Sequence, residues 1–122
     1  MAVNGLTDNS PIGYVGGMGA AVTQATSKTT GVTINTLCGS ITTTNAALAA
    51  AAEVKFTVTN SMVAATDIPI VSIKSGGTSG AYLICVGAVA AGSFDITLGN
   101  VSAGSLSQAV VINFAIIKGV AA

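Results

Sequence analysis

Hydrophobic and polar positions alternate with a period of two along much of the chain. Val54, Phe56 and Val58 fall on one side of an extended segment, with Lys55, Thr57 and Thr59 on the other. Phe94, Ile96 and Leu98 repeat the pattern against Asp95 and Thr97, and Tyr82, Ile84 and Val86 form a third row. A strand with one buried face requires this pattern, because successive side chains point to opposite sides. Read this way, the sequence predicts strands over residues 20–24, 31–35, 37–43, 54–60, 68–74, 81–89, 93–100 and 109–118. The last differs from the rest. Val110, Val111, Ile112, Phe114, Ala115, Ile116 and Ile117 are apolar on both faces, broken only by Asn113. Such a strand is expected to be covered twice, by the core and by another sheet or another subunit.

Between these runs the chain is punctuated by turn chemistry. Pro69 removes a ladder donor, so its strand is expected at an edge or at a strand start. Asn45 to Glu53 is Ala-rich but spans under three turns and lacks an apolar stripe, so it reads as a loop or a single helical turn. Asp8-Asn9-Ser10-Pro11 and Gly16-Gly17-Met18-Gly19 mark residues 1–19 as an extended N-terminal arm. Shifting the sequence by 40 positions lays Phe56-Thr57-Val58-Thr59-Asn60 over Ile96-Thr97-Leu98-Gly99-Asn100, and Ile70-Val71 over Val110-Val111. Each copy reads as strand, Asn-terminated turn, strand. The fold expected from all this is all-β: a β-sandwich of jelly-roll type with about eight short antiparallel strands, in a single domain over residues 20–122.

Composition narrows the chemistry. The 122 residues include four Lys, four acids, and no Arg, His or Trp, and the formal charge is zero. Without His, a Ser-His-Asp or Cys-His arrangement cannot form. The acids Asp8, Glu53, Asp67 and Asp95 are scattered among strand-like positions, so an enzyme is not expected, and no catalytic, cofactor-binding or metal-binding residue is nominated. Lys28, Lys55, Lys74 and Lys118 are isolated and balanced by acids, so they cannot neutralise a run of phosphates, and no nucleic-acid partner is expected. Mean hydropathy is high at +0.79. Even so, the apolar runs at 81–91 and 109–117 fall short of the roughly 18–20 residues of a spanning helix, and no membrane partner is expected. The N-terminus lacks the basic region and apolar core of a secretory signal. Cys38 and Cys85 stand in strand-like runs and are expected to be reduced, buried thiols packing as small hydrophobes; one disulfide is the alternative.

Several motifs have ordinary readings. Gly76-Gly77-Thr78-Ser79-Gly80 lacks the spacing and following helix of a phosphate-binding loop and is expected to be a flexible hairpin connection. The Thr runs at 42–44 and 57–59 lack the strict repeat of an ice-binding face. Asn100-Val101-Ser102 fits the glycosylation pattern, though nothing indicates secretion. Lys55 and Asp95 occupy matching places in the two 40-residue units, and an exposed ion pair between them would contribute little.

A neutral Thr/Ser/Ala exterior is poorly defended against association, because natural monomers guard strand edges with charge. Much of this surface is therefore expected to be occupied by identical copies or by a larger assembly, with the arm at 1–19 suited to reaching a neighbour.

Specific segments carry a resemblance. Val22-Thr23-Gln24-Ala25-Thr26-Ser27-Lys28-Thr29-Thr30-Gly31-Val32-Thr33-Ile34-Asn35 resembles a recurring segment of small virion structural proteins of tailed bacteriophages. So do Ala64-Ala65-Thr66-Asp67, Gly76-Gly77-Thr78-Ser79-Gly80-Ala81-Tyr82 and Ala103-Gly104-Ser105-Leu106-Ser107. The similarity spans roughly residues 20 to 118; Cys38 and residues 45–52 depart from it, and the first 19 carry no match. It implies a small β-sandwich that stands alone or serves as a module of tail-fibre-like proteins. A free-standing chain of this length is most similar to a head decoration (cement) protein. Such proteins sit as dimers or trimers on the capsid exterior and brace joints between major capsid subunits. The partners implied are copies of itself, a homotrimer ahead of a dimer, and the major capsid protein. The alternative is a tail-fibre or receptor-binding module for a host-surface glycan, with Tyr14 and Tyr82 as its aromatic candidates and Tyr82 the first place to look.

Overall fold

Alternating Val, Ile, Phe and Thr give the chain short strands that can each bury one face, and the computed structural model, which describes residues 12–121, contains eight of them. They are β1 Gly19–Thr23, β2 Val32–Thr33, β3 Cys38–Thr42, β4 Glu53–Thr59, β5 Ile68–Gly76, β6 Tyr82–Ala90, β7 Ser93–Asn100 and β8 Val110–Ile117. Each lies where the alternation predicts it, although β2 is only two residues long. The Ala-rich stretch forms no helix. Leu48 is buried and bridges to Leu106, and a turn follows in which Ala52 N–H donates to the Ala49 carbonyl at 3.1 Å. No helix among the described residues is long and apolar enough to cross a membrane.

The strands form two four-stranded sheets, ordered β1-β3-β8-β5 and β2-β4-β7-β6. They pack face to face as a β-sandwich. Inward residues of β8 (Val110, Ile112, Phe114, Ile116) meet those of β7 (Phe94, Ile96, Leu98) and β4 (Phe56, Val58), all buried. The rings of Phe94 and Phe114 lie 6.1 Å apart, closing the core between the two sheets. All three Phe side chains are in this core.

The expectation of antiparallel strands throughout needs correction. Pairs β3/β8, β5/β8, β4/β7 and β6/β7 are antiparallel, but β1/β3 and β2/β4 are parallel. From β1 to β4 the chain alternates between the sheets, so each strand returns beside its predecessor running the same way. Parallel neighbours need such a crossover, whereas antiparallel ones need only a tight turn. The antiparallel wiring expected of a jelly roll is broken at these two pairs.

Pro69 lies on an edge strand as expected, since among the described residues β5 pairs only with β8. β8 sits between β3 and β5 with its inner face sealed by the opposite sheet. Among the described residues no further layer covers its outer face: Val111, Asn113 and Ala115 are half-buried and Ile117 is exposed.

The 40-residue match has a structural counterpart. β4 and β7 are neighbours in one sheet, β5 and β8 are neighbours in the other, and Phe56 lies directly opposite Ile96. Asn60 N–H donates to the Gly92 carbonyl and Asn100 N–H to the Ala52 carbonyl, each at 2.9 Å, as a local two-fold between the units requires. Both Asn side chains are buried and do the same work. Asn60 Oδ1 accepts from Met62 N–H and its amide donates to the Thr36 carbonyl; Asn100 Oδ1 accepts from Ser102 N–H and its amide donates to the Leu48 and Gly104 carbonyls. Each Asn fixes the crossing from one sheet to the other.

The chain after β8 is tied down by Asp67. This buried carboxylate accepts from Lys118 Nζ, from Ala64 N–H at 2.8 Å and from Gly119 N–H at 3.2 Å. The hydrogen bond from Lys118, with the backbone donors, holds its carboxyl below the usual carboxylate range. A depressed folded pKa contributes stability above the unfolded value and loses it as pH falls through the folded one. The stability gap between the native chain and Asp67→Asn is therefore expected to be full at neutral pH and to close below about pH 4, as read by urea unfolding across pH. Gly119 is needed in the same corner, since a Cβ there would lie 1.9 Å from the Thr66 carbonyl oxygen. Gly119→Ala is expected to displace the terminal segment at a cost of about 1–3 kcal/mol in thermal or urea melts.

Candidate interaction surfaces

The described residues hold no group of three or more His, Cys, Asp or Glu placed to bind a metal ion. What the fold presents is surface. On the outer face of the β1-β3-β8-β5 sheet, small side chains at Gly19, Cys38, Ser40 and Ala115 floor an open depression of about 590 Å³, rimmed by Ile70 and Lys74. Beside it Ile68 pairs with Ile117 and Ile70 with Ala115, and the three Ile side chains are 57%, 49% and 48% exposed in the order 68, 70, 117. The outer face of the second sheet carries a similar depression of about 590 Å³, where Gly99 leaves space between Glu53, Leu83 and Val101. Leu83 is 65% exposed and Val101 54%. Both outer faces therefore offer aliphatic side chains around shallow, small-residue floors.

Charge is scarcer outside than the sequence count implies. Lys28 and Asp67 are buried, which leaves Lys55, Lys74, Lys118, Glu53 and Asp95 on the surface among the described residues. The Lys55–Asp95 pair forms at 3.4 Å, and Asp95 also accepts from the Thr57 hydroxyl at 2.8 Å. With Lys55 well exposed, that pair adds little stability.

Lys28 gave no sign of burial in the sequence, because no periodicity marks it. Its Nζ donates to the carbonyls of Thr44 and Gln108. Burial pushes its pKa down. Gln24 completes the cluster: its amide donates to the Lys28 and Thr30 carbonyls, and its Oε1 accepts from Thr44 N–H.

The sequence motifs find definite places. Residues 76–80 connect β5 to β6, with Gly76, Gly77 and Gly80 at positive φ. This loop is exposed and lines a depression of about 420 Å³, but it is pinned: Thr78 N–H donates to Gln108 Oε1 at 2.9 Å, and a Cβ on Gly77 would lie 2.8 Å from the Tyr82 ring. Tyr82 is itself buried, its hydroxyl donating to Gln108 Oε1 at 3.1 Å and its pKa raised by burial. It therefore offers no exposed platform for a sugar ring. Tyr14 is 41% exposed, and its hydroxyl donates to the Ile116 carbonyl. Thr43 points inward and accepts from Val110 N–H at 2.9 Å, so the 42–44 run makes no flat hydroxyl face. Asn100 of the glycosylation pattern is 1% exposed with its amide already engaged.

The cysteines are free, as expected, but they are not buried. Cys38 is half-buried and Cys85 exposed, because both occupy outward positions of their strands, on opposite sheets. Of the expected arm, residues 1–11 lie outside the described part, residues 12–18 carry no strand, and Gly19 already begins β1. The chain matches no family model, no curated protein and no solved structure.

Proposed function

We propose that this chain is a structural virion protein that binds the exterior of a bacteriophage capsid as a homo-oligomer and stabilises the shell. The observation that carries the proposal is a set of exposed aliphatic side chains, Ile68, Ile70, Ile117, Leu83 and Val101, around both outer sheet faces of a surface on which the described residues place only five charged side chains. Exposed apolar area of this kind marks a surface that works when covered. The resemblance of residues 20–118 to small phage structural proteins, most of all to head decoration proteins, supplies the class of partner. Scarce, dispersed lysines favour the outer side of a shell over the DNA-facing side.

Stabilisation on this reading is mass-action linkage. Each copy that bridges two capsid subunits adds its binding free energy to the assembled state. Repetition over many sites makes modest contacts cooperative through avidity. The burial of Tyr82 removes the best aromatic candidate for glycan binding, so no observation favours the receptor-binding alternative.

Purified particles test the proposal. The chain is expected in hundreds of copies, near a simple ratio to the major capsid protein, and shells stripped of it are expected to burst at lower temperature. A few dozen copies, with stripped shells equally heat-stable but unable to adsorb to cells, would overturn the assignment.

A further inference from the structure

We infer that two copies of this chain pair through the β6 edge, antiparallel about a two-fold axis at Cys85, to join their β2-β4-β7-β6 sheets into one eight-stranded sheet. The inference rests on the self-association part of the reading above and is independent of the shell. It starts from how the sandwich treats its open edges.

Natural sheets protect an edge with charge, proline, a bulge or brevity. β2 is only two residues long, and β1 presents only Gly19, Ala21 and Thr23 outward. β5 carries Pro69, Lys74 and a register shift between Ile73 and Ser75. β1 is uncharged and unbroken too but carries only small side chains outward, whereas the unguarded stretch of β6 also presents a bulky aliphatic one, Leu83. From Leu83 to Gly87 its register with β7 is unbroken, and none of its nine residues is charged. The strand ends at a bulge where Ala88 adopts φ 51°. Among the described residues, the backbone groups of 83–87 have no partner beyond the β6–β7 ladder.

The same stretch is self-complementary. Leu83 to Gly87 is centred on Cys85, so two-fold pairing there sets Leu83 opposite the partner's Gly87, Ile84 opposite the partner's Val86, and Cys85 opposite the partner's Cys85. This register keeps outward residues beside outward ones, as a continuous sheet demands. Leu83 is 65% exposed, and around Gly87 a Cβ would meet nothing within 4 Å, so the bulky side chain has open space to enter. Half-buried Ile84 and Val86 would complete an inner aliphatic row. A chain of zero formal charge with an ion-free edge meets its copy without repulsion. A closed two-fold contact uses the same patch on both copies and stops at two, unlike an open edge-to-edge filament.

The register can be read with a thiol oxidant. Directly opposed residues of an antiparallel pair lie about 4.5–5.5 Å apart between Cα atoms, within disulfide range. Diamide, which takes up the two protons and two electrons released by a thiol pair, is expected to convert the native chain to a covalent dimer of twice 11.8 kDa. Cys38→Ser should leave that product intact and Cys85→Ser should abolish it. Without oxidant, Cys85→Lys at this exposed site is expected to weaken dimerisation by about tenfold or more, because like charges then face each other, while circular dichroism stays unchanged and melting matches the native chain at concentrations too low for the dimer. A product linked through Cys38, or an oligomer indifferent to Cys85→Lys, overturns the β6 pairing and leaves self-association standing. A chain that is monomeric at every concentration overturns both.

Discussion

Phe94→Ala is expected to lower the unfolding free energy by about 3–5 kcal/mol, the usual cost of emptying an aromatic site in a close-packed core. Phe94 is fully buried, pairs with Val58 across β4 and β7, and meets the Phe114 ring of the opposite sheet at 6.1 Å. It is where the two sheets hold each other, and backbone on both sides limits collapse into the void. Domains of this size have only about 5–15 kcal/mol in total, so the variant should sit near the edge of folding. Urea unfolding measures the effect, with outward-facing Thr59→Ala as a control expected within about 0.5 kcal/mol of the native chain. A loss below about 1 kcal/mol would mean that the sheets are not packed as described.

Lys28→Met is expected to cost about 2–4 kcal/mol, although it deletes a charge from the interior. Met can fill the space of the aliphatic stem, so packing is nearly conserved. What disappears is the donor shared by the part-buried Thr44 and Gln108 carbonyls, which leaves Thr44 only the Thr43 hydroxyl at 3.3 Å and Gln108 no donor among the described residues. The damage should spread, because Gln108 also binds Thr78 and Tyr82 while Gln24 holds Thr44, so one network joins the loops before β2, after β3, before β6 and before β8. Its pH dependence has the same sign as that of Asp67, stability rising with pH, but lies in the alkaline window rather than the acid one. A lysine with a folded pKa below its ordinary 10.5 leaves the unfolded state holding more protons as pH rises into that window. The native chain should therefore gain stability relative to Lys28→Met in alkaline solution, and parallel urea curves at neutral and alkaline pH will show it.

These residues also mark what the sequence could and could not reveal. The strands were legible because period-two alternation records directly which side chains are buried, and Phe56, Phe94 and Leu98 lie inward as their neighbours imply. The Asn-terminated turns were legible through the shift that lays Asn60 over Asn100, and the structure shows both side chains holding the crossings. Strand partnership left no such trace: nothing local in Gly19–Thr23 or Val32–Thr33 says that they pair in parallel, since that depends on where the chain has been in between. Lys28 was hidden for a related reason. Its burial is decided by carbonyls 16 and 80 positions away. The face of Cys85 was legible, since the row of Tyr82, Ile84 and Val86 sets it on the other side; what was not legible is that this side stays exposed despite its apolar residues.

Whether this exterior exists to be covered is read most directly by sedimentation velocity on the native chain over a wide concentration range. Stable species at multiples of 11.8 kDa, persisting to low micromolar protein, are the expected result. A single, soluble 11.8 kDa species at every concentration would contradict it.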